Sequence, residues 1–302
     1  MYSLVIIGAG PAGMSASIYA SRYGIKNLVI GQPGGLASTT HEIGNYLGFE
    51  SITGFEFAQK GEAHVKKYGA EMEYALVKQI TKDGDIFKMT LDSGKEIEAK
   101  NILIAVGTAH RSLGIPGEKE FIGKGLSYCT TCDGYFYRGK TVAIKGGGDS
   151  ALSAAIFMAD IAEKVYLIHR REEFRAEDFW IDSVKNNPKI EVITGVILEE
   201  VKGDTKVNEL IFDRPYNDSL SLAVDGVFIE IGFVPNVELF KGLGIEIDEG
   251  GFIKVDAEQR TNIAGVWAAG DISTNSNKFK QIITAAAEGA VAAVSIQKNS
   301  RK

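Results

Sequence analysis

The 302-residue chain is poor in cysteine, histidine and proline, with two, four and six of them. Two cysteines are too few for a disulfide scaffold, and a chain of this length can bury a core without one. The histidines (His41, His64, His110 and His169) show no zinc-ligand spacing with one another or with the cysteines, so no metal site is expected. Long apolar runs are missing too: none approaches the roughly 18 residues of a membrane span. The opening run, Leu4–Ile7, gives way to glycine, and no secretory leader is expected. There is no concentrated basic arm, and the formal net charge of −6 argues against a phosphate backbone as partner. The expectation is a cytoplasmic protein whose partners include neither a membrane nor a nucleic acid.

What is abundant is glycine, 35 residues, in a chain with 45% hydrophobic and 24% charged residues, the profile of a globular protein. The glycines cluster where apolar runs end. Leu4–Ile7 reads as a strand, Gly8-Ala9-Gly10-Pro11-Ala12-Gly13 as a turn, and the small residues through Tyr23 as a helix, with a second strand at Asn27–Ile30. That is a βαβ unit with a dinucleotide fingerprint at Gly8, Gly10 and Gly13. Alternating strands follow over Glu71–Glu98, with a turn at Asp92-Ser93-Gly94-Lys95, and an apolar strand at Asn101–Val106 ends in Gly107-Thr108. The pattern then restarts with a strand at Thr141–Ile144, a turn Gly146-Gly147-Gly148-Asp149-Ser150-Ala151, a helix over Leu152–Asp160 and a strand at Val165–Ile168. Two complete units predict an α/β protein with two Rossmann-like domains. Proline and glycine punctuation near Gly114–Gly117 and Gly232–Asn236 marks the boundaries. A last strand enters Gly270-Asp271, and an alanine-rich helix covers Ile282–Ile296.

The fingerprint chemistry follows from the turn. Glycines let backbone N–H groups approach a pyrophosphate at a helix N-terminus. The first unit lacks the usual acidic ribose ligand, because Val29-Ile30 runs into Gly31-Gln32. The second has Ala151 for its third glycine, and its second strand ends in His169-Arg170-Arg171-Glu172-Glu173-Phe174-Arg175. An acid there suits a ribose hydroxyl, whereas arginines suit a 2′-phosphate, which favours NADPH over NADH. The bland alternative for that run is a solvated, charged helix start.

Both cysteines fall in Cys129-Thr130-Thr131-Cys132, between the two fingerprints. Zinc would need about four ligands, and a structural disulfide across two residues would remove little loop entropy. The spacing favours a redox-active pair. Asp133, directly after it, is either a proton shuttle for disulfide reduction or a turn residue before Gly134.

With these residues in view, the chain resembles the low-molecular-weight thioredoxin reductases of the bacterial and archaeal type. The matching segments are Gly8–Gly13, Gly34-Gly35 with Thr39-Thr40, Asn45, Val106-Gly107-Thr108, CTTCDGYFYRGK from Cys129 to Lys140, Gly146–Ala151, His169–Arg175, Gly270-Asp271 and Lys280-Gln281. They span nearly the whole chain. Departures are Leu36 in place of glutamine, Lys280 in place of arginine, Ser153 and Ala154 in place of glutamates, and Lys145 at an apolar strand end.

The resemblance implies two three-layer ββα domains, the second inserted into the first. An FAD domain would cover 1–113 and 239–302, and an NADPH domain with the cysteine pair 114–238. FAD would be held by Gly8, Gly10, Pro11, Ala12, Gly13, Gly35, Thr40, Asn45, Gly107, Thr108, Gly270, Asp271, Lys280 and Gln281. NADPH would be held by Gly146, Gly148, Asp149, Ser150, Ala151, His169, Arg170, Arg171 and Arg175. It further implies a homodimer, a rotation between domains, Cys132 nearer the flavin and Cys129 attacking the disulfide of thioredoxin or a similar small protein. A relative fed by ferredoxin or another donor is the alternative, and a non-catalytic flavin-binding redox sensor a more distant one.

Overall fold

The computed structural model describes residues 1–39 and 43–300, with the side chains of Thr39, Thr131, Cys132 and Lys278 left aside. The chain divides into two compact units, Met1–Ala109 with Val234–Lys302, and His110–Phe233. The crossings lie at Ala109/His110 and Phe233/Val234, upstream of 113/114 and 238/239.

The first unit is built on a five-stranded parallel sheet. Its strands, in spatial order, are Val266–Ala268, Ile102–Ile104, Leu4–Ile7, Asn27–Ile30 and Glu71–Glu73. The central strands are buried on both faces, and their sequences are accordingly near-continuous apolar runs. Leu4 and Ile6 pack with the helices, whereas Val5 and Ile7 pack toward an antiparallel sheet, Val77–Asp83, Ile86–Leu91 and Glu96–Ala99. This is the ββα layering.

Pro11 starts the first helix, Pro11–Arg22, where a missing N–H costs nothing. That helix lies close against the C-terminal one, Ile282–Ser300, because its partner offers glycine: a Cβ at Gly289 would stand 2.0 Å from the Ala12 carbonyl oxygen. The helix Gly54–Lys67 was not among the expected elements. Thr53 and Glu56 form its capping box, with the Glu56 N–H donating to Thr53 Oγ1 at 3.2 Å.

The second unit repeats the plan. Its parallel sheet runs Ile190–Ile193, Lys164–Ile168, Thr141–Gly146, Gly226–Glu230 and Leu126–Ser127, beside a three-stranded antiparallel sheet over Leu198–Gly203, Val207–Tyr216 and Ser219–Ala223. Val142 and Ile144 face the helix layer, and Ala143 faces the other. The helix after the glycines begins at Asp149 and ends at Ala159, earlier at both ends than expected, and a further helix, Asp178–Lys185, follows the arginine run.

Candidate active site

In the first unit, the strand Leu4–Ile7 ends at Gly8, whose φ of +111° and whose approach to Ala105 exclude a side chain: a Cβ would stand 2.2 Å from the Ala105 carbonyl oxygen. Gly13 is closed off by the Gly8 carbonyl oxygen, 1.9 Å from its ideal Cβ. Gly10 differs. It caps the helix in extended conformation, and a Cβ there would meet nothing nearer than the Gly34 carbonyl oxygen at 4.0 Å. Two glycines thus shape the turn, and the third leaves room in front of the helix N-terminus, with Gly35 on the other side (3.3 Å from an ideal Cβ to Gly10 Cα). Pro11 and Ala12 form the first turn of the helix.

In the same unit, Thr108 is buried and its Oγ1 has no hydrogen-bond partner among the described residues. Gly107, at φ +62°, has open space before it. Gly270 and Asp271 follow the strand Val266–Ala268 and border a small cavity with Lys280. Burial pushes the Asp271 carboxyl up, with Lys280 opposing the rise and Glu288 adding to it. Lys280 also lies over the Phe252 ring, its Nζ 3.7 Å from the centroid. Gln281 directly precedes the C-terminal helix, and its Oε1 accepts from Asn45 Nδ2 at 3.1 Å. Thr40 lies outside the described residues. An open glycine at a helix N-terminus and an unpartnered buried hydroxyl in the same unit fit a dinucleotide cofactor such as FAD.

One residue here escaped the sequence reading. Glu288 is buried on the C-terminal helix, and its Oε2 accepts the Gly270 N–H at 2.7 Å and the Ser273 hydroxyl at 3.0 Å. It pins the Gly-Asp turn. A charged residue inside an alanine-rich helix was the available signal.

In the second unit Cys129 is disulfide-bonded; the Cys132 side chain lies outside the described residues. The strand Leu126–Ser127 leads into the turn, and a four-residue helix, Thr130–Asp133, starts directly after Cys129. The Cys129 N–H donates to Ser127 Oγ at 3.0 Å, and the Ser127 hydroxyl donates to Asp133 Oδ2 at 2.6 Å. Asp133 is therefore tied to the backbone of Cys129 through one serine, which sequence alone did not single out. Gly134 allows the turn to sit on the helix Asp149–Ala159, since a Cβ would stand 2.7 Å from Met158 Sδ.

The same helix opens the second glycine turn. A Cβ at Gly146 would clash with the Glu230 carbonyl oxygen at 2.2 Å, and one at Gly147 with the His169 ring, whereas Gly148 faces open space. Asp149 and Ser150 form the first turn, and Ala151 packs in the core. Asp149 Oδ1 accepts the Glu177 N–H at 2.8 Å, so this carboxylate also holds the start of the next helix. His169 is buried and stacked on Phe174 at 5.5 Å, its Nε2 lacks a partner among the described residues, and burial pulls its imidazole pKa down. Arg170, Arg171 and Arg175 are exposed, and among the described residues the arginines in ion pairs are Arg214 and Arg260. Open turn, helix N-terminus and unengaged arginines fit a phosphorylated dinucleotide.

Lys145 is the misfit. It is 4% exposed, and its Nζ donates to the Val196 carbonyl oxygen at 3.3 Å.

Residues 2–289 match the pyridine nucleotide-disulphide oxidoreductase family. Among curated relatives, the thioredoxin reductase of Helicobacter pylori is 42% identical over 98% of either chain. That of Bacillus subtilis is 39% identical over 98% of this chain and 94% of its own. Among solved structures, Lactococcus lactis thioredoxin reductase in the FR conformation superposes with a TM-score of 0.80 at 38% identity, covering 99% of this chain and 98% of its own. T. acidophilum thioredoxin reductase gives 0.79 at 36%, covering 100% and 99%.

Proposed function

Because the chain belongs to the pyridine nucleotide-disulphide oxidoreductase family, we propose that it is a thioredoxin reductase that uses NADPH and FAD. Overall, NADPH, a proton and the disulfide of thioredoxin become NADP⁺ and a dithiol. The observation that carries this reading is the disulfide at Cys129, seated on the helix that opens the second glycine turn. FAD, when bound, supplies the two-electron carrier between a nicotinamide and a disulfide.

The first unit holds FAD. The N–H groups of Gly10, Ala12 and Gly13, at the helix start, would meet its pyrophosphate, with Gly8 and Gly35 shaping the cradle. Asn45, Gly107, Thr108, Gly270, Asp271, Lys280 and Gln281 complete the site, and Thr40 is assigned to it by resemblance. The second unit holds NADPH through Gly146, Gly148, Asp149, Ser150 and Ala151, with His169, Arg170, Arg171 and Arg175 at the adenosine 2′-phosphate.

Cys129 is the thiol that attacks thioredoxin, and Cys132 is assigned by resemblance as the other thiol of the pair. Reducing a disulfide to a dithiol consumes protons as well as electrons. Asp133 is the group assigned to relay one of them, and its link through Ser127 to the backbone N–H of Cys129 keeps it beside the pair. The enzyme acts as a homodimer in the cytoplasm; among the described residues no helix is long and apolar enough to cross a membrane.

Anaerobic titration with NADPH and, separately, NADH tests the reading by flavin bleaching. Bleaching at stoichiometric NADPH, followed by thioredoxin reduction, is the expected result. A flavin that stays oxidised with both nucleotides would overturn NADPH as the donor.

A further inference from the structure

One carboxyl group in the second unit has no part in the site assigned so far. Glu230 ends the strand Gly226–Glu230 at the carboxyl edge of the parallel sheet. Leu126–Ser127 runs parallel beside it, with Ser127 opposite Phe228, and from that pair the two chains run on to Cys129 and Glu230. On its other side Glu230 lies opposite Gly146. It therefore stands between the redox turn and the second glycine turn.

The side chain reaches the redox turn directly. Thr130 Oγ1 donates to Glu230 Oε1 at 2.8 Å, and the Thr130 backbone N–H donates to the same carboxylate. Thr130 is buried, and it is the residue that follows Cys129 and opens the short helix. Ser127 and Asp133 grip Cys129 from its N-terminal side and across the helix. Glu230 supplies the grip that comes from the sheet.

We propose that Glu230 is a positioning residue of the redox disulfide, acting through Thr130 to hold the chain next to Cys129 in place whether the pair is oxidised or reduced. The inference rests on the redox role assigned to Cys129 and Cys132. Its chemistry is one of effective concentration. Reduction breaks the S–S bond, takes up two electrons and two protons, and leaves two thiols that must stay within reach to close again after thioredoxin is served. A fixed backbone keeps their effective molarity high and so favours the disulfide. Releasing the grip favours the dithiol. Burial raises the Glu230 carboxyl to about 7, so an amide of the same shape is a close substitute for its neutral form.

The test equilibrates the FAD-loaded full chain with mixtures of reduced and cyclic oxidised dithiothreitol, then counts alkylated cysteines by mass. Each exchange turns the enzyme disulfide and two dithiothreitol thiols into two enzyme thiols and the cyclic disulfide. Glu230→Ala is expected to shift the equilibrium about tenfold toward the dithiol, which is about 30 mV for this two-electron couple. Thr130→Val should shift it in the same direction, and it serves alone if Glu230→Ala does not fold. Glu230→Gln keeps an acceptor for Thr130 and should stay near the wild type. A wild-type equilibrium in Glu230→Ala, or in Thr130→Val where that variant stands alone, overturns the proposal. So does a displacement as large in Glu230→Gln as in Glu230→Ala. No thioredoxin enters this assay, so a wild type unable to reduce thioredoxin would sink the function reading while leaving the Glu230 measurement interpretable.

Discussion

Asn45 Nδ2 donates to Gln281 Oε1 at 3.1 Å, across 236 residues of sequence. The bond ties the segment between the strand Asn27–Ile30 and the helix Gly54–Lys67 to the start of the C-terminal helix, so the two ends of the first unit meet at the proposed FAD site. Asn45→Ala should loosen that end without touching the pyrophosphate cradle. A single neutral hydrogen bond contributes about 1 kcal/mol, and the expected loss of FAD affinity is roughly fivefold. Equilibrium dialysis with flavin fluorescence reads it directly, and unchanged retention would mean that Asn45 lies outside the site.

Gly8 and Gly10 should fail in different ways. Gly8 has φ +111° and no room for a Cβ, so Gly8→Ala is expected to destabilise the apoprotein by several kcal/mol. Gly10 has ordinary φ (−74°) and open space before it. Gly10→Val should leave the apoprotein melting temperature within a few degrees, yet bind FAD poorly because its side chain enters the cradle. Apoprotein melting and FAD binding, measured on both variants, separate the two roles; equal destabilisation would contradict the distinction.

Much of this was legible where chemistry is local. Leu4–Ile7 and Asn27–Ile30 have the observed bounds because a strand buried on both faces must be apolar throughout and stops at glycine. What was missed depends on long-range pairing or on a polar cover. The helix Gly54–Lys67 hides its few buried positions among charges, although Thr53 and Glu56 spelled its cap. Glu288 and Gly270 are 18 residues apart, and Thr130 and Glu230 are 100 apart. No periodicity relates such residues before the fold brings them together. Ser127 could have been suspected from its place before the cysteines, but its role as a bridge exists only through geometry.

The arginines at the second turn carry a specificity prediction. Arg170, Arg171 and Arg175 are exposed, and no carboxylate among the described residues forms an ion pair with them, so a 2′-phosphate would meet little competition. Charge-assisted bonds contribute about 1.5–3 kcal/mol each. Replacing Arg170 and Arg171 together with alanine should raise KM for NADPH by about two orders of magnitude and leave KM for NADH nearly unchanged. Steady-state kinetics with both nucleotides decides it, and an equal loss for both would point to general damage.

Lys145 should make the protein more stable at high pH than at neutrality. Burial, with Arg170 adding its charge, lowers the ammonium from 10.5 to about 8 in the folded chain, against a weaker opposing pull from Asp213. The unfolded chain keeps the higher value, so between about pH 8 and 10.5 it binds more protons than the folded one. This group's contribution to stability therefore rises with pH across that window. Below it both states carry the proton, and the folded state bears the whole cost of the buried charge, on the order of 3 kcal/mol. Lys145→Met removes the charge and keeps most of the volume. The variant is expected to be more stable than the wild type at pH 7 by up to that amount, with the gap closing by about pH 10.5. Urea unfolding followed through Trp180, which lies in the same unit as Lys145, measures the gap at each pH. A gap that stays constant with pH would show that the lysine is not destabilised by its burial.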